Sequence, residues 1–242
     1  ESGNVYIILR LCDDIKICKG ECSMQDKKDT FFQVIKDRRS IRKYTDEKVT
    51  EEDLRLILES ARQAPSGENA QPWRFIVVKD QESKNFLSYV GKHGSGRRFT
   101  GEFLSKQMQE RFKDLKDEEK KIAAYKKLTS GNVSAFVSEA DINIIVLGKK
   151  DVWDAPFDTS AAIENMLLTV TSLGLGACWL VAPCIDIRDE LRMKEYFEIT
   201  DEYKLFAIIS IGVPARIPNP RPRIPLKDLV FNEKFGVAYY EE

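Results

Sequence analysis

A single histidine, His93, occurs among 242 residues, so side-chain general bases of the usual kind are scarce. Charge of one sign is not in excess either: 38 basic side chains face 39 acidic ones, for a net charge of -1. No global field therefore draws the chain to nucleic acid, and any anion site has to be local. Long apolar runs are missing. Residues 142–147, broken by Asn143, are far too short to span a bilayer. The apolar run at 5–9 follows Glu1 without a basic flank and is stopped by Arg10, which does not fit a secretory signal. The expectation is a cytoplasmic protein with no membrane and no nucleic-acid partner. The Gly-x-Gly-x-x-Gly fingerprint of dinucleotide-binding folds is absent too, and no internal repeat is present.

The five cysteines are an odd set, Cys12, Cys18, Cys22, Cys178 and Cys184, which argues against a disulfide scaffold. The first three form C-x5-C-x3-C with no histidine nearby, unlike the closer pairs and four ligands of structural zinc sites. They read as incidental thiols, with no metal expected. Cys178 and Cys184 lack C-x-x-C spacing, and Cys178 falls in an apolar run, so it reads as a small buried hydrophobe.

What is present suits a soluble globular protein: 43% hydrophobic and 32% charged residues. Residues 1–26 read as an extension carrying three cysteines, and 27–242 as the main domain. Phe31, Phe32 and Ile35 recur at helical spacing, with Asp29 or Thr30 as the expected N-cap. Thr50 precedes a second helical stripe of Leu54, Ile57, Leu58 and Ala61. Strands are expected at 73–78, 142–147, 177–181 and 203–211, the last central because it is apolar almost throughout. Helices are expected at 82–90, interrupted by Gly91, Gly94 and Gly96, at 158–173, ended by a Gly-Leu-Gly turn, and at 186–194. His93 then lies in an exposed glycine-rich loop. The charged stretch 97–128 reads as one or two surface helices forming a lid or interface. Trp73 and Trp179 read as core. Five of nine prolines follow Gly212, so the tail runs extended.

Two segments stand out. The first, RRSIR at 38–42, packs three guanidinium groups and a hydroxyl into five residues. Guanidinium forks match phosphate oxygens bidentately, and Ser40 adds a donor. A solvated basic turn paired with Asp46, Glu47 and Glu51 explains the same residues. The second, PSGENAQPW at 65–73, is a small-residue loop whose backbone N–H groups can meet a flat polar ring. An ordinary helix-to-strand loop explains it as well.

Taken with GLGACWL (174–180) and the IGVP…PRPR tail (211–223), in this order over residues 29–230, these motifs resemble the FMN-dependent nitroreductase family. The resemblance implies an α+β fold: a central mixed, mostly antiparallel sheet flanked by helices, in an intertwined homodimer with FMN at the subunit interface. It implies that Arg38, Arg39, Ser40 and Arg42 hold the FMN phosphate and ribityl chain. It places Pro65, Ser66 and Gly67 beneath the isoalloxazine and Asn69 at a polar contact to the ring. Leu180 and Val181 would present backbone to the ring, and Arg221 and Arg223 would reach the phosphate from the tail. The implied activity is an FMN-dependent NAD(P)H oxidoreductase working by ping-pong hydride transfer through flavin N5. NADH or NADPH is the donor, and nitroaromatics, quinones or similar small molecules are the acceptors. The cofactor carries the redox step, so no catalytic side chain is named. The sequence APSG at 64–67 looks closer to the deiodinase and flavin-destructase branches, which keeps reductive dehalogenation and flavin fragmentation open. Tyr125 with Lys126 or Lys127 keeps open a deiodinase-like lid. A non-catalytic flavin-binding or electron-transfer docking protein is the remaining alternative.

Overall fold

The computed structural model describes residues 23–102 and 105–240. The expectations for the 1–22 stretch, including Cys12, Cys18 and Cys22, lie outside the described residues. In chain order the helices are α1 Met24–Asp37, α2 Glu51–Arg62, α3 Gln81–Glu102, α4 Lys106–Phe112, α5 Glu118–Thr129, α6 Ala155–Ser172 and α7 Ile187–Tyr196. The strands are β1 Trp73–Val78, β2 Ile142–Lys149, β3 Gly176–Leu180 and β4 Tyr203–Gly212. They form one antiparallel sheet in the order β1-β2-β4-β3. A parallel bridge between Ser40 and Ala177 adds an extended segment beside β3. The α+β expectation holds, with β4 central.

Alternation along the strands sends side chains into two cores. Ile144, Val146 and Ile209 pack with Ile57 of α2 and Ile163 and Met166 of α6. Ile145, Leu147 and Ile208 pack with Leu87 and Val90 of α3 and Met193 of α7. Between Val146 and Leu147 the register slips by one residue on β4. That bulge, at Phe206, lets Leu205 and Ala207 enter opposite cores although they lie two apart. Full burial of each such aliphatic chain stabilises by roughly 1.5–3 kcal/mol, so the two-sided sheet is a rigid platform.

Three expectations need correction. Helix α1 begins at Met24, because Ser23 and Asp26 form a reciprocal capping box: Ser23 Oγ accepts the Asp26 N–H at 3.1 Å, and Asp26 Oδ2 accepts the Ser23 N–H at 3.0 Å. Asp29 instead accepts from Gln25 Nε2 inside the helix. Helix α3 runs unbroken through Gly91, Gly94 and Gly96. Those glycines allow close packing: a β-carbon on Gly94 would lie 2.9 Å from the Ala182 carbonyl oxygen, and one on Gly96 would lie 2.8 Å from that of Thr129. His93 therefore sits on a helix. It is exposed, with Nδ1 2.9 Å from the Tyr89 carbonyl oxygen. Trp179 is 36% exposed rather than core. Cys178 enters the second core, whereas Trp179, on the other face near the end of edge strand β3, lies outside both cores.

The charged stretch does hold two helices, α4 and α5, with Phe112 against Tyr125 at a ring separation of 4.8 Å. The tail beyond Pro214 is largely extended and exposed, apart from a short turn at Leu226–Asp228 and a second turn closed by an antiparallel bridge between Phe231 and Ala238. No helix among the described residues is long and apolar enough to cross a membrane.

Candidate functional site

The basic segment 38–42 leaves α1 and docks on the outer edge of β3. The Ile41 N–H donates to the Ala177 carbonyl at 2.8 Å. Further on, the Thr45 N–H donates to Val213 O at 2.9 Å, and the Ala215 N–H donates to Lys43 O at 3.0 Å. Between these ties the Tyr44 hydroxyl donates to Ile41 O at 2.8 Å and lies 3.2 Å from Ser210 O. Burial raises the Tyr44 phenol far above its usual range. The backbone carrying the guanidiniums is thus fixed to both β3 and the residues after β4.

Each cation in this segment has its own environment. Arg38 Nε lies 3.3 Å from Glu164 Oε1 of α6. Arg39 Nη1 donates to the carbonyls of Arg38, at 2.9 Å, and Lys36. Its Nε is buried and has no hydrogen-bond partner among the described residues. A buried donor left unpaired calls for an explanation. Arg42 is exposed, with its guanidinium carbon 5.8 Å from the Phe136 ring centroid. It also acts on Cys178: burial raises that thiol's pKa, and the Arg42 charge opposes the rise. Ser40 is exposed at the bridge. Leu180 and Val181, both half-buried, close β3 just before the turn Ala182–Cys184. The structure therefore brings Arg38, Arg39, Ser40 and Arg42 to the strand that ends in Leu180 and Val181.

The loop 65–71 lies at the N-terminus of α6. Pro65 and Asn69 are exposed, while Ser66 and Gly67 are half-buried. The Gly67 N–H donates to Asp158 Oδ1 at 3.1 Å, and Ser66 Oγ accepts the Gln71 N–H at 3.1 Å. Glu68, Asn69 and Gln71 all have positive φ, at 51°, 56° and 45°. A β-carbon on Gly67 would fall 2.6 Å from Asp154 Oδ2. Helix α6 thus contacts both segments, through Asp158 to the loop and through Glu164 to Arg38. Sequence reasoning treated this helix only as a buried apolar element and missed both acids. The available signal was Asp158 and Glu164 interrupting an otherwise apolar stretch.

Arg221 and Arg223 are not brought to the other cations. Both are exposed, and Arg223 Nη1 donates within the tail, to Arg221 O at 3.2 Å and Pro222 O at 3.4 Å.

The profile of the Nitroreductase family matches residues 35–213, which takes in the basic segment, the loop and all four strands. The chain belongs to this family. It is 32% identical over 184 residues to an Archaeoglobus fulgidus protein described provisionally as an NADH dehydrogenase/NAD(P)H nitroreductase, covering 76% of this chain and 84% of the relative. It is 27% identical to the iodotyrosine deiodinase of Thermotoga neapolitana, covering 82% of this chain and 95% of that protein. Among solved structures it is similar to an FMN-dependent nitroreductase from Clostridium difficile R20291. There the TM-score is 0.62 at 26% identity, covering 84% of this chain and 99% of the other.

Proposed function

We propose that this protein is an FMN-dependent NAD(P)H oxidoreductase of the nitroreductase kind. The carrying observation is the buried Arg39 Nε, a donor with no partner among the described residues, beside exposed Ser40 and Arg42. A phosphate monoester fits that set: it offers several anionic acceptors to forked donors on a backbone that cannot drift. The relationship to an FMN-dependent nitroreductase supports the same cofactor. Bound FMN would supply two-electron redox chemistry between NADH or NADPH and a nitroaromatic, quinone or similar small acceptor.

The chain's own part is binding and orientation. Arg38, Arg39, Ser40 and Arg42 would hold the phosphate and ribityl chain. The Pro65-Ser66-Gly67 turn and Asn69 would meet the ring, and Leu180 and Val181 would offer it the strand end. Arg221 and Arg223 would join the phosphate once the tail is ordered against a second copy. A homodimer is supported by exposed apolar groups: Phe31, Phe32 and Ile35 on α1, Phe157 at 72% exposure, and Trp153 at 90%. It is supported also by the open edge of β1, beside a groove of about 560 Å³ that α2 helps to line.

The test is an anaerobic titration of the purified protein, loaded with FMN, with each pyridine nucleotide at flavin wavelengths. Bleaching followed by recovery on adding a nitroaromatic or quinone is expected. A protein that stays colourless with excess FMN, or retains flavin that neither nucleotide bleaches, would refute the proposal. Reductive dehalogenation on the same cofactor is favoured by the similarity to iodotyrosine deiodinase. Iodide release from a halogenated phenol by the reduced protein, with no turnover of nitroaromatics, would select that reading.

A further inference from the structure

We propose that Asp158 is a positioning residue: a carboxylate that holds the loop 66–71 in a strained, ring-facing shape. The inference rests on the flavin reading above. Asp158 lies in the first turn of α6, where the helix dipole favours a negative charge. It is only 6% exposed, and its Oδ1 accepts the Gly67 N–H at 3.1 Å across a separation of 91 residues. Its Oδ2 is buried without a hydrogen-bond partner among the described residues. A buried carboxyl group with one oxygen left without a partner works against folding. Its presence calls for a reason other than stability.

The loop supplies that reason. Three non-glycine residues, Glu68, Asn69 and Gln71, lie in the left-handed region within four positions. Such conformations persist only where the surroundings over-determine them. Ser66 supports the far side by accepting from Gln71 N. Asp158 fixes the near side through the Gly67 amide. Asp154 is the N-cap residue of α6, yet its side chain makes no cap hydrogen bond. It lies over Gly67 instead and leaves no room for a β-carbon there. The two acids press and tie the glycine from one helix end. The loop's shape is thus held by its own hydrogen bonds on one side and by α6 on the other, so a ring bound against Ser66, Gly67 and Asn69 meets a preformed surface.

The test measures the affinity of flavin-free protein for FMN and for riboflavin by flavin fluorescence, alongside thermal unfolding without flavin. For Asp158→Ala both affinities are expected to fall at least tenfold and by the same factor, because the loop serves the ring that both ligands share. The unliganded unfolding midpoint should not drop. Asp158→Asn, whose side-chain oxygen can still accept from Gly67, should stay within about threefold of wild type. Gly67→Ala is the second variant and should lose both flavins as Asp158→Ala does. Wild-type affinity in Asp158→Ala, loss confined to FMN, a lowered unfolding midpoint, or Asp158→Asn failing as badly as alanine would each overturn the proposal. Wild-type protein that binds neither flavin would instead overturn the function proposed above.

Discussion

Ile41 rests on the bare backbone of Gly176, so close that a β-carbon there would lie 2.7 Å from its Cγ1 and 2.8 Å from its Cβ. The contact joins the basic segment to the first residue of β3, just where the Ile41 N–H bonds to Ala177 O. Gly176→Ala has to push Ile41 away, and the neighbouring Arg39, Ser40 and Arg42 with it. An overpacked contact of this kind costs about 1–3 kcal/mol of stability. FMN affinity is expected to fall by at least about tenfold, the equivalent of about 1.4 kcal/mol. Chemical denaturation and FMN titration of the variant check both outcomes. Unchanged affinity would mean that the guanidiniums do not depend on this docking.

The unpartnered Arg39 Nε carries a more selective expectation. A hydrogen bond to a charged group contributes about 1.5–3 kcal/mol, so Arg39→Ala should weaken FMN roughly 10- to 150-fold. Riboflavin lacks the phosphate and should bind the variant as it binds wild type. Comparing the two ligands in one fluorescence assay separates loss of a phosphate contact from general damage. Equal losses for both would remove Arg39 from the phosphate site.

Two glycines on α3 should respond in opposite directions. Gly94 has the Ala182 carbonyl oxygen 2.9 Å and Asp189 Oδ2 3.1 Å from where a β-carbon would stand, whereas Gly101 has nothing within 4 Å. Gly94→Ala should lose about 1–3 kcal/mol through forced separation of α3 from the turn after β3. Gly101→Ala should gain about 0.5–1 kcal/mol, because alanine loses less conformational freedom in a helix. Urea unfolding of the two variants decides it. A stabilising Gly94→Ala would show that the α3 contact yields easily.

The strands were legible because short, nearly unbroken apolar runs leave little choice once both faces of a sheet are covered. The Thr50 cap was legible too, since its Oγ1 accepts the Asp53 N–H three residues on, at 3.0 Å. Gly91, Gly94 and Gly96 misled because a glycine that breaks a helix and one that lets a neighbour approach look alike in one dimension. Trp179 misled for a related reason: its exposure follows from β3 lying at the sheet edge, which depends on strand order. At the candidate site, the basic turn and the small-residue loop could be picked out by residue type. The roles of Asp158 and Glu164 could not, because each is defined by a partner more than ninety residues away in the chain. The tail could be read as extended, since prolines at this density exclude regular helix and central strand.

Cys178 ties the site to alkaline pH. Burial raises its thiol pKa above the ordinary 9.0, and Arg42 partly offsets the rise. A raised pKa in the folded state means that the folded protein keeps the proton longer than the unfolded chain does. The resulting stability is full below the unfolded value and is lost as pH rises through the folded one. Stability should therefore decline from about pH 9 upward, and Cys178→Ala should show a shallower decline. Tyr44, also raised, adds a further loss at still higher pH in both proteins. In native protein at pH 9, iodoacetamide should modify Cys178 far more slowly than after unfolding, as located by peptide mass spectrometry. Arg42→Ala should slow it further by removing the charge that favours the thiolate. Fast native labelling of Cys178, or a decline with pH unchanged in Cys178→Ala, would show that the thiol is not held neutral by its surroundings.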